Sequence, residues 1–326
     1  MKILITGGAG YIGSHVVKQL GEQASHNITV LDNLTTGFQD SILYGNFIKM
    51  DLGDFESVEE LFKDNSFDAV IHFAASLIVP ESIHNPLKYY LNNTANTANL
   101  IKLCVKYKVN KFIFSSTAAV YGEPEIDKIP VNEMSETIPI NPYGSSKLMS
   151  EIILRDSAIA HDDFNYIALR YFNVAGASID GRIGQSTKDA THLIKVASEC
   201  ALGKRNKMYI FGDDYPTNDG TCIRDYIHVE DLANAHLKAL EYLDYYKQSE
   251  IFNCGYGHGF SVQEVLETMK KVSGVNFRVE TIEKRVGDPA ILISDNTKIK
   301  QKMQWIPKYD DLELICKTAL EWEKKI

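Results

Sequence analysis

Long apolar runs, paired cysteines, basic blocks and arginine are all scarce in this 326-residue chain. The longest apolar stretch, Ala69 to Pro80, is interrupted by His72 and Ser76 and falls short of the roughly 20 residues a membrane-spanning helix needs. Five cysteines, Cys104, Cys200, Cys222, Cys254 and Cys316, are odd in number and include no Cys-x-x-Cys pair. That spacing argues against a disulfide framework and for a reducing compartment. The chain starts with one lysine and a short apolar strand running into glycine, without the long apolar core and cleavage site of a secretory signal. The expectation is a soluble, cytoplasmic protein with no membrane partner. A net charge of −9 without a basic cluster disfavours nucleic acid as a partner, since binding to it depends on neutralising phosphates. With only seven arginines in the chain, Arg224 and Arg285 stand out as candidates for forked phosphate contacts. His228, Glu230, Asp231 and His236 lie near one another but lack His-Glu-x-x-His or paired-cysteine spacing. They read as the polar start of a helix, and no metal is expected.

The first half alternates short β-branched apolar runs with helical patterns, as in a parallel sheet covered on both faces. Strands are expected at Lys2–Thr6, Asn27–Leu31, Asn46–Met50, Asp68–Phe73, Lys111–Ser115 and Tyr166–Tyr171, with helices over 12–22, 55–64, 87–107 and 143–160. The fold class implied is α/β, a doubly wound parallel sheet of the Rossmann type, with a smaller C-terminal α/β domain. After Asn173 the alternation fades and Gly, Asp, Asn and Thr accumulate, notably over Gly212–Gly220. The division expected is therefore 1–173 and 174–326, with elements around 228–255 returning to complete the first domain.

Lys2–Thr6 leads directly into Gly7, and glycines recur at Gly10 and Gly13 before a helical pattern that starts near Tyr11. Strand, glycine turn and helix in this order form a dinucleotide cradle, where backbone N–H groups and the helix N-terminus meet a pyrophosphate. Asp32 follows the second strand, where a carboxylate accepts from the adenosine ribose. A 2′-phosphate would meet negative charge there, so NAD is expected rather than NADP. Asp51 follows the third strand, and Phe73-Ala74-Ala75 follows the fourth; both positions face the cofactor in this arrangement and both suit ordinary strand ends.

Tyr143 and Lys147 are four residues apart, which places them on one helical face with β-carbons about 5–6 Å apart. A free tyrosine is about 0.1% phenolate at neutral pH, so a base needs its pKa lowered by roughly three units, or about 4 kcal/mol. One lysine supplies part of that, and an oxidised nicotinamide ring the remainder. Beside a nicotinamide cofactor, such a pair implies redox chemistry on an alcohol. The spacing alone is weak evidence, because Tyr107 and Lys111 repeat it at a helix end.

With Ser115-Ser116-Thr117 closing the fifth strand, the pattern resembles the extended short-chain dehydrogenase/reductase family. The segments Arg170–Gly176, Ile210–Gly220, Arg224–Asp231 and Arg285–Asp288 are similar to those of its UDP-hexose 4-epimerases, and the resemblance covers essentially the whole chain. It implies an NAD-dependent isomerase that interconverts UDP-glucose and UDP-galactose through a 4-keto sugar. Catalysis would fall to Tyr143 as acid/base, Lys147 and Thr117. For the cofactor the resemblance adds Tyr11, Ile12, Asn33, Asp51, Leu52, Phe73, Ala74, Ala75, Asn92 and Phe172 to the glycines and Asp32. For the UDP-hexose it nominates Asn173, His192, Leu193, Tyr209, Ile210, Phe211, Arg224, Tyr226, Arg285, Asp288 and Leu292. A homodimer built from the helices over 87–107 and 143–160 is also implied.

Three positions qualify this resemblance. Leu77 stands where some relatives have a cofactor-contacting lysine, His192 where some have a ligand-binding asparagine, and Thr117 where many have serine. Leu292 occupies the position whose bulk limits an N-acetyl group, so N-acetylated UDP-hexoses are the alternative substrates. Dehydratase relatives carry an Asp-Glu pair where this chain has Ala118 and Ala119, which disfavours water elimination. A catalytically silent NAD-binding protein is disfavoured by the joint presence of Thr117, Tyr143 and Lys147.

Overall fold

The computed structural model describes every residue of 1–326 except Asp189 and Val286. Val286, inside the Arg285–Asp288 motif, therefore lies outside the described residues. Seven parallel strands form the central sheet: β1 (Lys2–Thr6), β2 (Asn27–Asp32), β3 (Asn46–Lys49), β4 (Ala69–His72), β5 (Lys111–Thr117), β6 (Asn165–Tyr171) and β7 (Glu250–Cys254). Their spatial order is β7-β6-β5-β4-β1-β2-β3. The chain thus leaves the sheet centre in one direction through β2 and β3 and in the other through β4. A crevice opens outside the carboxyl ends of β1 and β4, the position where doubly wound folds bind ligands.

The apolar runs are continuous because both faces of the sheet are covered. Ile3, Ile5, Ile71, Ile113, Ile167 and Leu169 point to one face, against Val16, Val17 and Leu20 of the helix Tyr11–Glu22 and Leu232 and Leu240 of the helix Val229–Tyr246. Leu4, Leu31, Val70, Phe112, Phe114 and Ala168 point to the other, against Leu61, Leu100, Cys104 and Leu154. Each such fully buried aliphatic side chain contributes about 1.5–3 kcal/mol.

The helix over Pro86–Lys106 departs from the uniform one expected, since Tyr90–Ala95 takes the wider π turn. Its effect is local and polar: the buried Asn93 side chain donates to Ser76 O (3.0 Å) and Ser146 Oγ (3.0 Å) and accepts from Ser76 N (2.7 Å). A π turn of this kind commonly sits at a functional site. Here it ties the loop after β4 to the helix Pro142–Ala160 between Tyr143 and Lys147.

Beyond β6 the chain builds smaller sheets. Asn173–Ala175 pairs with Tyr226–His228, Met208–Phe211 pairs in parallel with Val279–Ile282, and Ile223–Arg224 lies between Phe260–Ser261 and Ile291–Leu292. Glu250–Cys254 nevertheless joins the central sheet along β6, in register from Glu250 opposite Ile167 to Cys254 opposite Tyr171.

Candidate active site

The glycine turn has a geometry only glycine satisfies. Gly7 has φ +74°, and a β-carbon there would lie 2.5 Å from Ala74 N, so the loops after β1 and β4 touch backbone to backbone. A β-carbon on Gly13 would lie 2.4 Å from Gly7 O, which holds the helix Tyr11–Glu22 close against the turn. The N-terminus of that helix carries no side-chain cap and no acidic residue in its first turn, leaving its N–H groups and positive dipole end open to an anion. Asp32, at the end of β2, is largely buried, and accepts from Ala9 N (3.0 Å) and Leu34 N (2.8 Å). Burial raises its pKa while these bonds hold it down. Each carboxylate oxygen keeps a lone pair for a ribose hydroxyl. The donor set, the uncapped helix and the glycine cradle all fit a dinucleotide.

Around this groove Asn33 donates to Asp51 Oδ2 (2.7 Å), and Leu52 is buried beside them. Phe73 and Ala74 follow β4, their N–H groups both donating to Thr6 O, and Ala75 continues the loop. The Tyr11 hydroxyl donates to Gly176 O (2.6 Å), tying the cofactor helix to the chain beyond β6, and Ile12 packs against the core. Asn92 donates to Ser76 Oγ (3.0 Å) in the π turn. Phe172 is buried with Ala118, Val120, Tyr121, Val131 and Leu292. Leu77 is exposed.

The catalytic candidates meet at the carboxyl end of β5. Thr117 is the last residue of that strand and its hydroxyl accepts from Ala119 N (3.1 Å), capping the turn Ala118–Tyr121. Pro142 and the Asn141 side chain, which accepts from Gly144 N (2.9 Å), start the helix that carries Tyr143 and Lys147. The Thr117 hydroxyl lies beside the Tyr143 hydroxyl and favours its ionised form, and Tyr89 packs edge-on against its ring at 6.4 Å.

The electrostatics differ from the expectation that Lys147 lowers the Tyr143 pKa. Burial pushes the phenol above its ordinary value, with the Thr117 hydrogen bond acting in the opposite direction. The Lys147 amine instead donates to Ser115 O (2.8 Å) and lies 4.9 Å from the Phe114 ring centre. It is itself pushed down to about 7 by burial, against the charge of Glu151. Burial thus works against the charge of both members of the pair, and the amine is turned to Ser115 O. The Tyr107–Lys111 repeat separates completely: Tyr107 donates to Glu59 Oε1 (2.8 Å) at a helix end, while Lys111 starts β5 and pairs with Asp244 (3.3 Å).

The second group of candidates lies beyond β6. Arg224 is mostly buried, pairs with Asp288 and donates to Ile223 O (2.8 Å), while the Arg285 guanidinium stacks 3.5 Å from the Phe211 ring centre. Arg285, Asp288, Lys284 and Tyr215 face Glu123–Ile126 across a cleft of about 490 Å³. Tyr209, Ile210 and Phe211 form one strand, with Tyr209 exposed and partly covered by Lys207. Tyr226 belongs to the core, with its hydroxyl within the fields of Arg224 and Asp288. Leu292 is likewise a core residue. Asn173 is exposed, and its N–H donates to Asp225 O (2.9 Å). His192 hydrogen-bonds Gln185 (2.8 Å) just ahead of Leu193, and burial lowers its pKa.

A buried network that sequence reasoning passed over lies beneath Lys147. Glu151 accepts from Arg170 through Nε (3.0 Å to Oε1) and Nη2 (2.6 Å to Oε2), and from the Ser116 hydroxyl. Arg170 also donates to the Tyr121 hydroxyl (3.1 Å), which donates to Asn253 Oδ1 (2.6 Å). Ser116, Arg170 and Asn253 are register neighbours across β5, β6 and β7. The signal available was Glu151 itself, which extends the four-residue spacing of Tyr143 and Lys147 by one more turn. His228, Glu230, Asp231 and His236 are engaged elsewhere. His228 caps its helix by accepting from Glu230 N (3.1 Å), Glu230 accepts from Gln19 (2.6 Å), Asp231 accepts from Lys308 N and Tyr309 N (2.8 Å each), and His236 packs 4.8 Å from Phe73.

Residues 3–255 match the model of the NAD dependent epimerase/dehydratase family. The chain is 48% identical over 326 residues to a UDP-glucose 4-epimerase of Azospirillum brasilense, spanning 100% of this chain and 92% of that protein. Among solved structures, the UDP-Glc/GlcNAc 4-epimerase of Campylobacter jejuni is 58% identical, with a TM-score of 0.87 over 100% of this chain and 99% of that one. The UDP-glucose 4-epimerase of Brucella ovis, solved in complex with NAD, is 41% identical, with a TM-score of 0.94 over 98% of this chain and 97% of that one. No helix among the described residues is long and apolar enough to cross a membrane. A glycine cradle matched to a dinucleotide and a family model covering most of the sequence lead to one conclusion: this chain belongs to the NAD dependent epimerase/dehydratase family.

Proposed function

We propose that the protein interconverts UDP-glucose and UDP-galactose in the cytoplasm by inverting the sugar at C4 through a transient 4-keto intermediate. The observation that carries this reading is the meeting of Thr117, Tyr143 and Lys147 at the end of β5, next to the crevice opened by Gly7 and Gly13. In this reading residues 1–173 and the returning strand β7 hold NAD, and the remainder of 174–326 holds the nucleotide sugar. Gly7, Gly10, Gly13 and the open helix end take the pyrophosphate, and Asp32 takes the ribose. Bound NAD supplies a two-electron store, accepting a hydride from C4 and returning it.

Tyr143 removes the 4-hydroxyl proton as C4 is oxidised and returns it on reduction, so proton and hydride both balance over the cycle. Thr117 hydrogen-bonds Tyr143 and the sugar 4-oxygen. The phenol needs positive charge beside it, because burial alone disfavours its ionised form. Arg224 and Arg285 hold the diphosphate as planar forks, and Asp288 exchanges part of its pairing with Arg224 for ribose hydroxyls. Firm anchoring of UDP leaves the hexose free to turn over and present its other face. Ala118, buried and apolar, offers no acid for water elimination.

A second reading, conversion of N-acetylated UDP-hexoses as well, draws on the relative at 58% identity that is described as acting on UDP-Glc and UDP-GlcNAc. Purified protein is to be incubated separately with UDP-galactose and UDP-N-acetylgalactosamine and the products identified. UDP-glucose from the first is expected; absence of any C4 epimer from either substrate refutes the proposed activity.

We also propose a homodimer. Ile83 on the short helix Val79–His84, Leu87 and Leu91 on the stretch from Pro86, and Met149, Ile152 and Ile159 on the helix Pro142–Ala160 leave large apolar side chains exposed, more than an isolated surface tends to carry. Changing Leu87 and Leu91 together to Glu is expected to give a monomer with unchanged helix content, read by sedimentation. A wild-type protein that sediments as a monomer overturns the dimer.

A further inference from the structure

We propose that Glu151, held by Arg170 and Ser116, is a positioning residue for the reaction: its carboxylate, one helical turn beyond Lys147, keeps that lysine an ammonium without capturing it. The inference rests on the proposed role of Lys147 at the cofactor and the phenol.

Lys147 lies in surroundings that oppose its charge. It is almost fully buried, and among the described residues it forms no ion pair; its amine meets Ser115 O at 2.8 Å and the Phe114 face at 4.9 Å. Titratable groups lie around it on β4, on β6 and on its own helix. His72 comes from β4, locked between Thr6 Oγ1 (2.7 Å) and Thr97 Oγ1 (2.8 Å), and burial keeps it neutral near neutral pH. Tyr171 comes from β6, its hydroxyl on the Ser115 side chain, and Tyr143 precedes Lys147 by one turn. Glu151 supplies the opposing carboxylate on its own helix, with Arg170 behind it on β6. A neutral Lys147 could not attract an anionic phenol and would have one donor fewer for a ribose and for Ser115 O.

The way Glu151 is held explains why the lysine stays in the site. A free carboxylate four residues along a helix would pair directly with the amine. Here the Arg170 fork and the Ser116 hydroxyl occupy both oxygens, so the carboxylate acts at a distance while the amine reaches Ser115 O and the groove. Arg170 is fixed in turn by Tyr121 and the Asn253 side chain behind it.

The test compares Glu151→Gln, the double variant Glu151→Gln/Arg170→Met, and Lys147→Met, each by pH dependence of kcat, thermal melting and nucleotide released on denaturation. The double variant removes the guanidinium that the single one leaves unpaired. Turnover is expected to fall as pH rises through the Lys147 ionisation. Loss of the carboxylate should move that basic limb down by about one unit, equivalent to about tenfold less activity above it. The shift should be larger in the single variant, because Arg170 then faces Lys147 uncompensated. Lys147→Met should abolish the limb along with most activity. A double variant that melts and titrates like the parent overturns the proposal, as does loss of the fold in both Glu151 variants, which would assign the pair to stability alone. Full activity in Lys147→Met would instead overturn the role of the lysine itself.

Discussion

Replacing Tyr143 with Phe is expected to lower kcat about a thousandfold while leaving NAD bound and the melting temperature nearly unchanged. Positioned acid/base groups contribute roughly 10²–10⁴ in rate, and a thousandfold loss corresponds to about 4 kcal/mol of barrier. The substitution removes one oxygen and keeps the ring. Its edge-on packing with Tyr89 at 6.4 Å survives, and Thr117 retains its contact with Ala119 N (3.1 Å). The cost to stability is then at most that of one hydrogen bond, about 1 kcal/mol. The checks are kcat on UDP-galactose, nucleotide content after denaturation, and a melt. Near-normal turnover would remove Tyr143 from the chemistry, whereas loss of activity together with loss of nucleotide would make it a structural residue.

Gly13→Ala is expected to strip the protein of NAD and reduce turnover to background. The new methyl would lie 2.4 Å from Gly7 O and 2.9 Å from Gly8 Cα, both backbone atoms that no rotamer change can move. The helix Tyr11–Glu22 must therefore shift away from the turn, which separates the N–H groups that converge on the pyrophosphate. Helix propensity alone would favour alanine here by about 1 kcal/mol, whereas overpacking costs about 1–3 kcal/mol. The expected sign is a lower melting temperature, rising little with added NAD. Nucleotide content equal to the parent would show that the turn does not need this close approach.

The central sheet was legible because its strands are buried on both faces. A run such as Ile3-Leu4-Ile5, fully buried in every residue, has no polar alternation to confuse it with a surface strand. The helix over 143–160 begins one residue early, at Pro142. The π turn at Tyr90–Ala95 was not legible, since its polar reward comes from Ser76 and Ser146, on other segments. The row Ser116, Arg170 and Asn253 was hidden for the same reason, because it exists only once three strands are set in register.

The amino-acid sequence by itself determined the doubly wound class, the glycine turn and the Tyr143–Lys147 spacing, all of which depend on chain neighbours and short-range sterics. Only the tertiary structure decided where charge resides. It turned the Lys147 amine to Ser115 O, buried the Tyr143 phenol so that its ionisation is disfavoured, joined Arg224 to Asp288, and placed the Glu151–Arg170 pair beneath the site. Ionisation follows burial and the distance between charges, and both are set by residues that are remote in sequence and adjacent only after folding.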